Sequence, residues 1–308
     1  MLFSLSIALM FGCTSGSRHA PFTDTPTAGE ITILADETYK PVVQVQIDTF
    51  MEIYEYAKIH VLYLPESELF KQLLTHDTFR IAIAARNLSN EERKFMEQKK
   101  MLPISTKVAE DAVALVVNKE NGDTSLSYEE LGEVIRGKIQ TWKQLNEKGI
   151  SDSIRIVFDR SGSSNARLLH DHFLGDKEFP ANAFATFSNA EVVDYVEKTK
   201  GALGVISVNW ISDRDDPSTT EFLSKINVVG VSLPDTSSLQ IEFNRPYQAY
   251  IALKKYPLIR DVYVINNEGR TGLGTGLASF IAGDKGQRMI RLMGLLPATM
   301  PVRIIKNN

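Results

Sequence analysis

An alternation of apolar strands and amphipathic helices runs along the chain and determines the fold class that it can adopt. The run ITILA (31–35) is typical of a buried β-strand, and apolar residues then recur at helical spacing, among them Val43 and Ile47. The same order returns with KIHVLYL (58–64), followed by the amphipathic segment ESELFKQLL (66–74). Strands that alternate with helices are typical of parallel βαβ units. The sequence therefore predicts an α/β protein.

The second half of the chain repeats this alternation. Apolar strands are predicted at DAVALVVN (111–118), IRIVF (154–158) and GALGVISV (201–208), with helices between them. A length of 308 residues suits about two domains, and a hydrophobic content of 43% is that of a globular protein. The net charge of −4 provides no general basic field that would attract nucleic acid. Any anion-binding site must therefore be local.

The N-terminus has the features of an export signal. Residues 1–12 are uncharged and mostly apolar, too short to span a bilayer, and followed by small residues around Cys13, the one cysteine. Gly12 before Cys13 resembles the bacterial lipoprotein signal, which predicts a signal peptide over 1–12 and lipidation of Cys13. The alternative is an unprocessed apolar N-terminus with a chance cysteine. Residues 13–29 are rich in Ser, Thr, Pro and Gly and predict a flexible tether.

Two strand-to-helix junctions carry polar residues that suit a ligand site. DRSGSSN (159–165) lies between a strand that ends at Phe158 and an apolar-periodic helix, and ADETYKP (35–41) lies at a similar junction near the N-terminus. Such residues are common as helix N-caps, and they also form cradles for anions. Ligands of open α/β sheets collect at the carboxyl ends of strands. The two junctions therefore predict two binding segments that close on one ligand from opposite sides.

Five segments, taken in order, resemble a known family. They are DAVALVVNKEN (111–121), SYEELGEVIRGKIQTWKQL (127–145), RSGSS (160–164), GALGVISV (201–208) and GDKGQRMIRLMGLLPA (283–298). Over about residues 30–305 the chain is similar to the phosphate-binding proteins of phosphate ABC transporters, in the type II periplasmic binding protein superfamily. The resemblance implies two α/β lobes joined by hinge strands, with the ligand cleft between them. We expect lobe 1 to comprise 30–110 and 262–308, and lobe 2 to comprise 111–261.

The resemblance also implies a function. It predicts a periplasmic lipoprotein of the bacterial cell envelope, anchored in the membrane by a lipid on Cys13. This protein would capture inorganic phosphate or a similar tetrahedral oxyanion and deliver it to an ABC transporter permease. It would act as a monomer, without a cofactor, a metal ion or a nucleic-acid partner.

The resemblance maps the family's ligand-binding turn onto residues 160–165 of lobe 2, and the contribution of lobe 1 onto residues 36–38. The resemblance assigns ligand contacts to Asp36, Glu37, Thr38, Arg160, Ser161, Gly162, Ser163, Ser164 and Asn165, and we add Arg86 as a candidate because it stands just after a predicted strand. The family turn is Arg-x-Asp-Gly-Ser-Gly-Thr, whereas here the Asp is missing and Arg160 stands one residue closer to Gly162. Arg86 stands near the place of a first-lobe Asp of the family. These departures leave the identity of the ligand open.

Selection of phosphate over sulfate requires a hydrogen-bond acceptor, because hydrogen phosphate carries an O–H group that sulfate lacks. A buried acceptor that the wrong ligand leaves unpaired rejects that ligand strongly. We expect this acceptor to be Asp36 or Glu37. If neither reaches the ligand, Arg86 and Arg160 would form a general oxyanion trap.

Two other function classes compete with the transport hypothesis. The segment SGSSN (161–165) is not the Gly-x-Ser-x-Gly of a nucleophile elbow, and the chain has only five histidines to serve as bases. We therefore predict that the protein is not an enzyme. The altered turn keeps a second class open, an envelope sensor or scaffold lipoprotein with the same fold and weak or lost ligand binding.

Overall fold

A computed structural model describes residues 24–212, 217–234 and 241–300. The predicted signal peptide (1–12) and Cys13 lie outside these ranges. The strands are β1 Gly29–Asp36, β2 Ala57–Leu64, β3 Ile81–Ala84, β4 Ile104–Asn118, β5 Ser125–Leu126, β6 Arg155–Phe158, β7 Ala183–Ala185, β8 Ala202–Ser207, β9 Ile226–Val228, β10 Gly230–Val231, β11 Ile259–Asn266 and β12 Leu296–Pro297. The helices are α1 Lys40–Ile53, α2 Glu66–Thr75, α3 Asn90–Gln98, α4 Tyr128–Ile135, α5 Trp142–Leu145, α6 Ser164–Phe173, α7 Asn189–Lys198, α8 Pro217–Lys225, α9 Gln248–Ala252, α10 Leu273–Ala282 and α11 Asp284–Leu292.

Ten of the described strands form one sheet, with the order β2-β1-β3-β11-β4-β8-β6-β7 and with β9 and β12 paired to β4, while β5 and β10 form a separate two-stranded sheet. In the first half, β1 runs parallel to β2 and β3, as expected of βαβ units. In the second half, β6 runs parallel to β7 and β8. The predicted α/β class is confirmed.

The long strand β4 joins the two halves of the sheet. Its residues 104–112 pair antiparallel with β11, and residues 113–117 pair antiparallel with β8. Strands β4 and β11 therefore run side by side where the two halves meet. They are the crossing strands of a two-lobed fold.

Separate hydrophobic cores fill the two halves. In the first lobe, Ile33 and Phe50 pack with residues of α10 and α11, and a smaller cluster around Phe70 covers the other face of the sheet. In the second lobe, Val116 and Trp142 belong to one large core. The cores change over between 109 and 112 on β4 and between 258 and 262 on β11. The predicted lobe boundaries fall close to these positions and stay a prediction.

The folded body begins before the predicted start near Glu30. Asp24 is buried, and its carboxylate accepts from the backbone N–H of Leu273 at 2.8 Å, at the start of α10. Arg80 pairs with the same carboxylate at 3.2 Å, and Arg270 pairs with it as well. Because these contacts bind 24–29 to the first lobe, this segment is not part of a flexible tether. In the described ranges, no helix has the length and apolarity needed to cross a membrane.

Candidate functional site

The two predicted strand-to-helix junctions lie against each other across the lobes. After β1, the Asp36 carboxylate accepts from the N–H of Thr38 at 3.0 Å and starts a 3₁₀ turn. After β6, the Ser163 hydroxyl accepts from the N–H of Ala166 at 3.2 Å and caps α6. The Ser164 hydroxyl donates to the Thr38 hydroxyl at 3.3 Å. Local capping thus shapes each junction, and a hydrogen bond between hydroxyls joins them.

A buried polar network extends from this contact. The Oδ2 atom of Asp159 accepts from the Thr38 hydroxyl at 3.2 Å, from Asn165 Nδ2 at 3.0 Å and from Asn189 Nδ2 at 3.1 Å. Asn189 Nδ2 also donates to Glu37 Oε2 at 3.1 Å. Together with Arg260, these buried side chains are called the interlobe cluster: Asp36, Glu37, Thr38, Asp159, Ser164, Asn165, Asn189 and Arg260.

The crossing strands contribute a buried ion pair to the cluster. Arg260 on β11 lies opposite Asp111 on β4, and its Nε and Nη2 atoms lie 2.9 and 2.8 Å from Asp111 Oδ2. Nη2 also donates to Asn165 Oδ1 at 2.8 Å, at the start of α6. The guanidinium carbon lies 5.4 Å from the centre of the Tyr39 ring. Arg260 therefore connects the crossing strands to the site-forming turn of each lobe.

Carboxyl groups outnumber the single buried guanidinium in this part of the site. Burial raises the pKa of Asp36 to about 7, with the Glu66 charge adding to the effect and Arg260 opposing it. Burial, followed by the charge of Asp159, raises the pKa of Glu37 to about 7. Burial also raises the pKa of Asp159. Burial therefore raises the pKa of all three carboxyl groups above their ordinary values.

Several polar atoms of the site are buried without a hydrogen-bond partner within the part of the chain that the structure describes. They are Asp36 Oδ2, Tyr39 OH, Asp159 Oδ1, Asn209 Oδ1 and Arg260 Nη1. Unpaired buried polar groups carry a free-energy cost, and a functional site is a common reason for that cost. The set contains both acceptors and donors, so it suits a small ligand that carries O–H groups as well as bare oxygens.

In the described ranges, no group of three or more His, Cys, Asp and Glu is arranged to hold a metal ion.

A second interlobe contact lies at the rim of the site. Arg167 of α6 forms an ion pair with Glu66 of α2, with Nη2 3.2 Å from Oε2. Beside this pair, the N–H of Ser67 donates to the carbonyl of Gly162 at 3.1 Å. We call these two contacts the rim clasp. They hold the lobes together outside the interlobe cluster.

Comparison with known proteins gives the family. The profile of the PBP superfamily domain matches residues 20–285. The chain belongs to the PBP superfamily. This PBP-superfamily chain is 23% identical over 288 residues to the phosphate-binding protein PstS of Staphylococcus aureus strain USA300, covering 92% of this chain and 83% of that protein. It is 26% identical over 210 residues to PstS of Staphylococcus saprophyticus, where the match covers 66% of this chain and 60% of the relative.

Solved structures show the same fold. A Clostridium perfringens substrate-binding protein with bound phosphate superposes with a TM-score of 0.73 at 19% identity, covering 88% of this chain and 100% of that one. An ABC-type phosphate transport receptor from Vibrio cholerae superposes with a TM-score of 0.64 at 20% identity, covering 87% and 100%. The predicted two-lobed fold of the superfamily is confirmed.

The predicted site residues of this PBP-superfamily chain fall into two groups. The structure brings Asp36, Glu37, Thr38, Ser163, Ser164 and Asn165 together at the buried junction. The other four lie at the rim: Arg86, Arg160, Ser161 and Gly162. Their role as ligands stays a prediction.

The two arginines predicted as ligand contacts, Arg86 and Arg160, both have their side chains outside the interlobe cluster. Arg86 pairs with Glu92 at 2.7 Å, and its guanidinium lies 3.5 Å from the centre of the Phe70 ring. Arg160 is half-buried and lines a surface pocket with Phe158 and Phe179. Neither side chain forms a hydrogen bond to the interlobe cluster among the described residues.

Sequence reasoning missed three members of the cluster. Arg260 lies within an apolar strand and Asp111 begins another, and a buried charge requires a partner, so the sequence contained a usable signal for this pair. Asp159 precedes the predicted turn directly. Asn189 begins a helix that is distant in sequence, and only the tertiary fold brings it to Asp159.

Proposed function

We propose that this protein is an extracytoplasmic solute-binding protein that captures inorganic phosphate, or a similar tetrahedral oxyanion, between its lobes and delivers it to an ABC permease. One observation carries the proposal: helix-start junctions of opposite lobes meet in a buried cluster with unpartnered donors and acceptors. Relatives named as phosphate-binding proteins, and a structural neighbour with bound phosphate, support the choice of ligand.

The chemistry of the cluster suits a partly protonated oxyanion. On ligand binding, the hydroxyls of Thr38 and Ser164, which in the structure donate to Asp159 and to Thr38, would turn to the bare oxygens, together with backbone N–H groups at the start of α6. The carboxylates of Asp36 and Asp159 supply acceptors for a P–OH group. We propose that closure of the lobes assembles both sets around the ligand, with Glu37, Ser163 and Asn165 in the inner wall. The four rim residues would contact the ligand as it enters.

The proposal covers binding rather than catalysis. The Ser164 hydroxyl donates to the Thr38 hydroxyl, and none of the eight residues of the interlobe cluster is a histidine that could act as its base. We further propose that Cys13 carries a lipid, that the protein is a monomer, and that the chain between Cys13 and the folded body tethers it to the membrane. The cysteine and the composition of the N-terminal residues support this arrangement.

Titration calorimetry with phosphate and sulfate tests the proposed function. We expect saturable binding of phosphate, and at least 100-fold weaker binding of sulfate, which corresponds to roughly 2.7 kcal/mol. The reason is that sulfate has no O–H group for Asp36 and Asp159. Equal affinities for the two anions would contradict the assignment of these carboxylates as acceptors.

The excess of buried carboxyl groups favours one second candidate, an envelope sensor or scaffold with weak or lost ligand binding. Asp36, Glu37 and Asp159 face one another with Arg260 as the buried cation among them. The same titration separates the two candidates, because a folded protein that gives no heat with phosphate, sulfate or molybdate would be a sensor or scaffold.

A further inference from the structure

Arg160, the cation that the resemblance assigns to the ligand, acts on the pKa of Glu37 through its charge, but its side chain forms no hydrogen bond to the interlobe cluster among the described residues. In the family turn, the arginine stands three residues before the first glycine. Counted back from Gly162, that position is Asp159. The Asp159 side chain is fully buried and accepts three hydrogen bonds in the cluster, whereas Arg160 lies at the rim, lining a surface pocket. A carboxyl group thus stands where the family has a guanidinium.

The crossing strand β11 brings a different guanidinium to the same place. The Arg260 side chain is 3% exposed. Nε and Nη2 are bound to Asp111 and Asn165, while Nη1 has no partner within the described residues. The nearby Tyr39 and Asp36 also have unpartnered polar atoms, and both interact electrostatically with Arg260. One nitrogen of a guanidinium that is otherwise fixed is therefore available for an anion.

We propose that Arg260 is the ligand-binding cation of this site, in the role that the resemblance gives to Arg160. This inference rests on the proposed function. It specifies the ligand as a small oxyanion with a bare oxygen for Arg260 Nη1 and O–H groups for Asp36 and Asp159. A single guanidinium among several carboxyl groups favours a singly charged, protonated anion over a fully deprotonated one.

Arg260 lies at the point where the crossing strands meet both lobes. Asp111 fixes the guanidinium to the crossing strands, which belong to both lobes. Asn165 of the second lobe and Tyr39 of the first lobe contact the same guanidinium. An anion bound to Nη1 would therefore link residues of both lobes to the crossing strands. Ligand binding would then favour the closed arrangement of the lobes.

The test is calorimetric titration with inorganic phosphate on matched variants. Removal of Arg260 alone leaves Asp111 buried and unpaired, which destabilises a protein strongly, so Arg260→Gln is combined with Asp111→Asn. The control is Lys107→Gln with Asp261→Asn. This pair joins the same two strands at 2.6 Å, and it is partly exposed rather than part of the cluster. Circular dichroism and thermal unfolding establish whether each variant folds.

We expect the Arg260/Asp111 variant to fold and to bind phosphate at least 100-fold more weakly, while the control stays within threefold of the parent. Arg160→Gln should cost less than tenfold. Phosphate affinity of the Arg260/Asp111 variant within threefold of the parent would overturn the inference. So would a loss of 100-fold or more in Arg160→Gln.

If the double variant does not fold, Arg260→Lys decides the question, because it retains the charge beside Asp111 but cannot supply the same fork of donors. A loss of tenfold or more in Arg260→Lys supports the inference, and unchanged affinity overturns it. A parent protein that does not bind phosphate would show instead that the proposed function itself is wrong.

Discussion

Gly162 has a conformation and a position that disfavour any side chain. Its φ of +72° lies in the left-handed region, and a Cβ atom there would overlap the hydroxyl of Ser67 in the other lobe. Gly162→Ala should therefore hinder closure of the lobes and weaken phosphate binding by about tenfold, or ~1.4 kcal/mol. Calorimetric titration with phosphate measures this effect.

Gly175 provides the matched control for this substitution. It follows the C-terminal end of α6, has a φ of +60°, and has open space where a Cβ would lie. Both alanine substitutions place a Cβ on a residue with a left-handed φ. Each should therefore lower the free energy of unfolding by about 1–2 kcal/mol. Only Gly162→Ala should lose phosphate affinity. An equal effect of the two variants on affinity would remove the Gly162–Ser67 contact from the account of closure.

At the scale of elements, α2 and α6 are held together by the rim clasp. Glu66 is buried and pairs with Arg167 across the lobes, while Arg167 also pairs with the exposed Asp171 of its own helix at 2.9 Å. Glu66→Gln removes the interlobe charge pair, so it should lower phosphate affinity about tenfold by favouring the open arrangement. The measurement is the same calorimetric titration.

Asp171→Asn is the control for the clasp. It removes an ion pair from Arg167 without changing a contact between the lobes, and exposed pairs of this i,i+4 type contribute little. We expect its phosphate affinity to match that of the parent. If Glu66→Gln and Asp171→Asn bind phosphate alike, the clasp does not stabilise the closed lobes.

Most strands could be predicted from the sequence, whereas the full length of β4 could not. The apolar run over 111–118 identifies the part of β4 that is buried in the second lobe. Residues 104–107 alternate between exposed and partly exposed positions, because this part lies in the first lobe with one side open to solvent. A strand that is buried on both faces shows a continuous apolar run in the sequence. A strand segment with one face open to solvent shows no such run.

The two site junctions could also be predicted, because each combines an apolar strand with capping residues that are local in sequence. The choice of the side chain that enters the cluster could not. Asp159 and Arg160 are neighbours, and only the direction of the chain after β6 decides that Asp159 turns inward. Arg260 and Asn189 join the cluster through contacts that span 95 and 24 residues from Asn165.

At the scale of the whole molecule, the order of motifs predicted the superfamily, and the profile match over 20–285 confirms it. Two lobes meet at a buried polar cluster, and two crossing strands bring an ion pair to the same point. Asp111 balances the charge of Arg260 on these strands, so the cluster attracts an anion mainly through hydrogen-bond donors rather than through net positive charge. This balance explains how a protein with a net charge of −4 could bind phosphate.

The position of a bound anion tests this account most directly. A crystal structure of the protein grown with phosphate should show the phosphorus atom between the Thr38 hydroxyl, the start of α6 and the Arg260 guanidinium. One phosphate oxygen should lie within hydrogen-bond distance of the Asp36 or Asp159 carboxyl group. Phosphate found only at the rim beside Arg160 and Arg86, with the interlobe cluster unchanged, would contradict the account.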